Sequence, residues 1–305
     1  MTKTVSFSIL KTRWIWFGIF LALLVASVAA LGIWKLKPGI DFAGGTLIDY
    51  VYTQPTTVDT IRSSLTSAGF DDATVQPIDA LSFQVRTSVL SQDDQKKLQS
   101  TLAAIGQGSE RQFQTIGPTI GRDLTRKAIL GVGSSIVGIL LYISWAFRRV
   151  PRPLNSWQFG IAAVLTLSHD VLFVLGLFAL LGHYYGYTVD SYFITALLTV
   201  MGFSVHDTIV VFDRIRENLL KHRDWPIQQI FDASIAQTVV RSLNTSLTAI
   251  IVLVTMFVLG GPSIRPFLVA LIAGIGVGTY SSIFVATPLL PVLARIRRES
   301  SNERT

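Results

Sequence analysis

The chain contains no cysteine. That excludes disulfides, thiolate nucleophiles and cysteine-ligated metals, and leaves cysteine usage silent on the redox compartment. Charge is scarce as well: only 15% of the 305 residues are charged, whereas half are apolar. A soluble enzyme carries nearer ~25% charge, so the composition points to a polytopic membrane protein. The four histidines, His169, His183, His206 and His222, fall in no HExxH or other ligand spacing, and neither a metal nor a cofactor is expected. Acidic residues are outnumbered by basic ones, which gives a net charge of +7. The basic residues flank apolar runs in short groups and form no stripe, so they read as anchors against membrane lipid, with no nucleic acid as partner.

What the sequence has in abundance is long apolar runs. Six can be drawn, at 14–34, 128–147, 159–181, 192–212, 239–259 and 267–293. Each has about 20 residues or more, enough for roughly 30 Å of helix. The first run, preceded by Lys3, Lys11 and Arg13, has the look of a secretory signal. Its length, with Trp14, Trp16 and Trp34 at the two ends, exceeds a signal core, and a retained helix is expected. Basic groups before run one, after run two (Arg148, Arg149, Arg152), after run four (Arg214, Arg216, Lys221, Arg223) and after run six (Arg295, Arg297, Arg298) all fall on one side. The positive-inside rule makes that side cytoplasmic, with both termini inside.

The expected organisation is a cytoplasmic N-terminus with the first helix (1–34), a soluble domain (35–127), a bundle of helices two to six (128–294) and a cytoplasmic tail (295–305). The soluble segment reads strand, helix, strand, strand, helix, strand. Ile61 and Leu65, then Leu98 and Leu102, recur at helical spacing, while Ser82 to Arg86 alternates with period two. That is the ferredoxin-like plan. The fold class expected is therefore a polytopic α-helical membrane protein, six transmembrane helices with a ferredoxin-like α+β domain on the outer side between helices one and two. The inserted domain carries no catalytic constellation, and the chain is not expected to be an enzyme.

Four places carry possible chemistry. Gly39-Ile40-Asp41-Phe42-Ala43-Gly44-Gly45 follows the first run; it lacks the Lys-Ser/Thr ending of a phosphate loop, so its glycines read as a tight turn into the first strand. Asp207 lies inside run four, where an ionisable residue is expensive and marks a functional site by default. His206 precedes it, but neighbours on a helix point about 100° apart, and Asp207 shares its face with Ser204, Thr208 and Val211 instead. Gln237, Arg241, Asn244, Thr245 and Thr248 form a polar stripe along run five, a face expected to meet protein or water. Arg241 either snorkels to the headgroups or pairs with Asp207, which lies in the same leaflet on the antiparallel neighbour. A buried carboxylate's proton affinity depends on the distance to the nearest cation, so a changing separation would act as a switch. Finally, His169-Asp170 sits midway along run three, as a second relay point or as a local cap. Gly274 and Gly278 in run six make a GxxxG packing face.

Taken together these residues resemble the SecF branch of the SecD/SecF family of bacterial protein translocation, within the resistance-nodulation-division superfamily. The resemblance rests on the glycine segment 39–45, on Ile116-Gly117-Pro118-Thr119-Ile120-Gly121, on His169-Asp170, on Asp207 through Asn218, on Arg241 through Thr248, and on Gly278 through Phe284. It implies a proton-driven auxiliary subunit of the plasma membrane with its inserted domain in the periplasm. SecD, the SecYEG channel and a translocating preprotein are the implied partners, with YajC a further candidate. In the family the proton-linked residues match Asp207 and Arg241; His206 stands where many members have Asn. Gly39, Asp41, Phe42, Gly44, Gly45, Gly117 and Pro118 would serve as structural motif, with hinges at 38–45 and 117–121. The alternative is a proton-coupled small-molecule or lipid exporter of the same superfamily.

Overall fold

In a computed structural model, residues 10–151 and 154–302 are described. Lys3, Arg152 and the last three residues of the expected tail lie outside them. Among the described residues six helices are long and apolar enough to cross a bilayer. They are α1 (Arg13–Trp34), α5 (Pro118–Ala146), α6 (Ser156–Tyr185), α7 (Ser191–Lys221), α8 (Ile227–Leu259) and the span Arg265–Ala294. The last begins as α9 (Arg265–Ser281), widens into a π-helical segment (Ser282–Ala286) and continues as α10 (Thr287–Asn302). Pro288 has no N–H for the carbonyl four residues back, and a π turn accommodates the missing bond.

Between α1 and α5 lies the inserted domain, entered through a one-turn helix α2 (Ile40–Ala43). It comprises β1 (Gly45–Tyr52), α3 (Val58–Ser67), β2 (Thr74–Pro77), β3 (Ser82–Thr87), α4 (Gln92–Ile105) and β4 (Gly108–Ile116). The strands form one antiparallel sheet in the order β2-β3-β1-β4, the ferredoxin-like arrangement expected. Its core joins Ile48, Tyr50, Phe83 and Val85 of the sheet to Ile61 and Leu65 of α3 and Leu98 and Leu102 of α4. Thr57 and Ser91 cap the two helices by accepting from Thr60 N–H and Asp94 N–H, each worth ~1 kcal/mol.

Glycines set how closely the membrane helices approach. A Cβ on Gly176 would stand 2.5 Å from Ser27 Cα, so α6 meets α1 only because that side chain is absent. A Cβ on Gly274 would meet Val200 at 2.3 Å, and one on Gly278 would meet Ser204 at 3.0 Å. The GxxxG face of the last span therefore packs on α7 of the same chain. In consequence α6, α7 and α9 form the buried centre of the bundle, whereas α1, α5 and α8 present mostly exposed residues. The apolar run expected at 128–147 belongs to a longer helix: α5 starts at Pro118, whose ring suits a first helical position, and its charged first third joins β4 to the bundle.

Candidate functional site

The glycine segment builds a joint. Gly44 and Gly45 have φ of 77° and 133°, and a Cβ on Gly45 would lie 2.7 Å from the Thr87 carbonyl, so both positions require glycine. Before them, Gly39 N–H donates to Val189 O at 2.7 Å and Val189 N–H donates to Lys37 O at 2.8 Å. Asp41 accepts from Ser191 N–H, and Asp190 accepts from Phe193 N–H, both at 2.8 Å. Two carboxylates thus satisfy the free N–H groups at the start of α7 and suit its positive end. Burial pushes Asp190 above the usual carboxylate range, Asp41 adds to this, and the Phe193 N–H and the Arg86 guanidinium oppose it. On the other flank Gly121 admits the Phe42 carbonyl, which its Cβ would meet at 2.8 Å, and Gly117 and Pro118 open α5. The segment turns the chain as expected; the one-turn helix and the cap on α7 were not foreseen.

Along α7 the expected inner face is the buried one: Ser204, Asp207, Thr208 and Val211 are buried, while His206 is exposed. Asp170 of α6, with 0% of its surface exposed, accepts from Ser204 at 2.7 Å and from Ser281 at 2.8 Å, and lies 3.1 Å from His169 Nδ1. The His169 ring stacks on Phe20 of α1 at 3.9 Å, and its Nε2 is buried without a hydrogen-bond partner among the described residues.

Asp207 accepts from Ser246 of α8 at 3.3 Å and from Thr279 of α9 at 3.4 Å. The Thr279 hydroxyl also lies 2.6 Å from Ser246 Oγ and 2.8 Å from the Ile275 carbonyl. It has one proton for three acceptors, so it can turn among them. Between the two carboxylates Thr208 and Ser282 lie 2.8 Å apart, and both hydroxyls also reach the Ser204 carbonyl at 3.0 Å. Ser282 opens the π-helical segment, a deformation frequent at functional sites. The result is a belt of three hydroxyl clusters across the bundle centre: Ser204 and Ser281 on Asp170, Thr208 with Ser282 on the Ser204 carbonyl, and Ser246 with Thr279 on Asp207. Such groups can each accept and donate a proton, and together they hold two carboxylates away from water.

On α8 the polar stripe does not turn toward Asp207. Arg241, Asn244, Thr245 and Thr248 lie on its exposed side, and only Gln237 of that stripe meets α7, accepting from Asn218 at 3.1 Å. The row turned to α7 is Ser234, Thr238, Ser242 and Ser246, one helical turn apart. Small side chains permit close approach there, and the bulkier polar residues are left outside. Among the described residues Asp207 forms no salt bridge with Arg241. Arg241 instead lines an open cleft with Asp213, Arg216 and Glu217, in the region where Arg216 pairs with Asp213 at 2.7 Å and Arg214 with Glu217 at 2.7 Å. Ser246, Thr279, Ser281 and Ser282 were missed as site residues. The run Tyr280-Ser281-Ser282 beside the GxxxG face was the available signal.

Comparison with known proteins gives a consistent result. A family model described as "Protein export membrane protein SecD/SecF, C-terminal" matches residues 96–296, and one for the "SecD/SecF GG Motif" matches 30–56. "Protein translocase subunit SecF" of Thermobaculum terrenum is 39% identical over 295 residues, covering 92% of each chain. The protein of the same description from Vibrio alginolyticus is 40% identical over 281 residues, 90% of this chain and 84% of that one. Among solved structures, SecDF of Thermus thermophilus, titled a translocon-associated membrane protein, superposes with a TM-score of 0.85 at 33% identity. That match covers 95% of this chain and 39% of the other. A SecDF structure in a super-membrane-facing form gives a TM-score of 0.70 at 32% identity, covering 98% and 40%.

Proposed function

Since the chain belongs to the SecD/SecF family of protein-export membrane proteins, we propose that it couples the proton gradient to preprotein movement, with Asp207 as the exchanging carboxylate. The observation that carries this reading is the hydroxyl belt between two carboxylates at the centre of a six-helix bundle. Asp207 takes up a proton from the side of α8, whose exposed stripe with Arg241 faces the SecD half of the complex. Approach of Arg241 favours the ionised carboxylate and withdrawal favours the protonated one, so helix movement and proton uptake are linked. His169 and Asp170 serve as the inner end of the relay, and His206, on the outer side of α7, lies on the entry path. One proton falling through 100 mV releases ~2.3 kcal/mol, enough for a few protons to drive a domain against a weakly held chain.

In this reading both termini are cytoplasmic and residues 35–127 are external, supported by Lys11 before α1 and Arg13 at its start, Arg148 and Arg149 after α5, and Arg214 to Lys221 at the end of α7. The organisation is 1–34, 35–127, 128–294 and 295–305 as drawn from the sequence. SecYEG delivers the preprotein, and YajC is a further partner. The joint at 38–45, with the start of α5 at 117–121 packed on it, passes motion between α7 and the external domain, because the joint leads into β1 and bonds to the start of α7. The test is preprotein translocation into inverted vesicles with and without a proton gradient. Asp207→Asn and Arg241→Ala are expected to remove the gradient-dependent increment and leave ATP-driven translocation; retention of the increment in both variants would refute the reading.

A further inference from the structure

The outer face of the sheet, opposite α3 and α4, sets Asp49, Gln84, Arg86, Gln112 and Gln114 beside Leu47 and Ile116, and it faces the membrane bundle. A cleft of about 650 Å³ lies between it, the turn from α6 to α7 and the start of α9. Two cross-strand rows make its wall. Gln84 of β3, Asp49 of β1 and Gln112 of β4 stand in register, and two residues along so do Arg86, Leu47 and Gln114. Within them the Gln84 amide donates to Asp49 at 2.9 Å, and the Arg86 guanidinium donates to Gln84. Arg86 Nε is buried without a partner among the described residues. Antiparallel sheets commonly leave one face to water; this one, exposed at Gln112 and half-buried at Gln84 and Gln114, offers side-chain amides toward the cleft, and the buried Arg86 Nε is left to be paired there.

We propose that this cleft holds an extended segment of polypeptide, bound through its backbone amides. An extended chain offers one N–H and one C=O per residue, and glutamine side chains donate to and accept from both. The two rows stand ~7 Å apart along the strands, the interval at which an extended chain repeats its groups on one side. Charge argues against an anionic headgroup or phosphate as the occupant: Asp41, Asp49 and Asp190 outnumber Arg86 and Arg265 around the cleft. Position ties occupancy to the transport site, since Asp41 and Asp190 at the bottom of the cleft are the two carboxylates that cap α7. A segment seated there bears on the helix that carries Ser204 and Asp207. The proposal deepens the export reading by naming where the moving chain is held, and rests on it.

The experiment uses the full chain with its partner subunit in inverted vesicles, and a secretory preprotein arrested by a folded C-terminal domain. A photo-crosslinking amino acid is placed at Gln112 in the cleft or at Lys96 on α4, on the far side of the sheet. Gln112 is expected to give a preprotein adduct and Lys96 none. Replacing Gln84 and Gln114 by leucine is expected to lower the Gln112 adduct about tenfold, the effect of losing one or two amide hydrogen bonds. Adducts to lipid or to the partner subunit in place of preprotein, equal adducts from both positions, or no adduct would overturn the proposal. The gradient-dependent increment, measured in the same vesicles with Asp207→Asn as control, separates the two readings. An increment without the Gln112 adduct defeats the cleft alone; the adduct without an increment defeats the proton coupling alone.

Discussion

Asp170 and Asp207 are both carboxylates in the apolar middle of the bundle, yet their surroundings differ in kind. Asp170 is held by Ser204, Ser281 and His169 at 2.7, 2.8 and 3.1 Å, on helices that are themselves the buried centre. Asp207 accepts from Ser246 and Thr279 at 3.3 and 3.4 Å, and Ser246 stands on α8, an outer helix. Short bonds on packed helices fix a group, whereas long bonds to a peripheral helix can be exchanged. The two are alike in burial and differ in how readily their partners can leave. Asp170 on this view anchors the inner end of the relay, and Asp207 is where exchange with the partner side occurs.

Removing the anchor should have the largest effect. Asp170→Ala leaves the Ser204 hydroxyl and the His169 imidazole buried without their acceptor, while Ser281 keeps the Gly278 carbonyl, and should cost ~2–5 kcal/mol, read as loss of folded protein from the membrane. An Asp207→Ala variant that destabilised as much would erase the contrast. Next comes Gly278→Val, which pushes Ser204 away from Asp170; overpacking at that contact should cost ~1–3 kcal/mol, measured as a lower melting temperature in detergent. Ser246→Ala removes the long hydrogen bond to Asp207 and one of the acceptors of Thr279, which keeps the Ile275 carbonyl. It should cost ~1 kcal/mol or less in stability while moving the pH midpoint of gradient-driven translocation, a shift that no change at Asp170's side of the belt should reproduce without unfolding.

A third carboxylate sharpens the contrast with a small effect. Asp79, at the turn between β2 and β3, accepts from Leu81 N–H, Ser82 N–H and Ser82 Oγ at 2.9, 2.8 and 2.9 Å. The Leu81 N–H bond is the main cause that holds it below the usual carboxylate range, partly opposed by desolvation. A depressed acid contributes stability above its unfolded value of ~3.9, and that stability is lost as pH falls through the folded value. The Leu81 and Ser82 amide resonances should therefore move only as pH falls below about 3.9, and Asp79→Asn should abolish the movement.

Much of this was legible in the sequence because periodicity is local. The six spans, the pairs Ile61/Leu65 and Leu98/Leu102, the buried face of α7 and the glycine face of α9 all follow from which residues recur at a fixed step along one element. What was not legible depends on which faces meet. On α8 the row Ser234-Thr238-Ser242-Ser246 and the stripe through Arg241 have the same i, i+4 spacing. Only the crossing with α7 decides that the small hydroxyls go inward. Thr279 and Ser281 look ordinary in a helix, where a hydroxyl usually bonds its own backbone. Their role appears when α7 and α8 bring Asp207 and Ser246 to them. The π-helical segment and the α7 cap by Asp41 arise likewise from contacts distant in sequence.

The central claim is that Asp207 is the carboxylate that exchanges its proton with the partner side. Infrared difference spectra of the complex in membranes, recorded across a pH step, resolve the carbonyl band of a protonated carboxyl group. The account predicts a pH-dependent band that disappears in Asp207→Asn and persists in Asp170→Asn. A band left unchanged by Asp207→Asn, or lost only in Asp170→Asn, would contradict it.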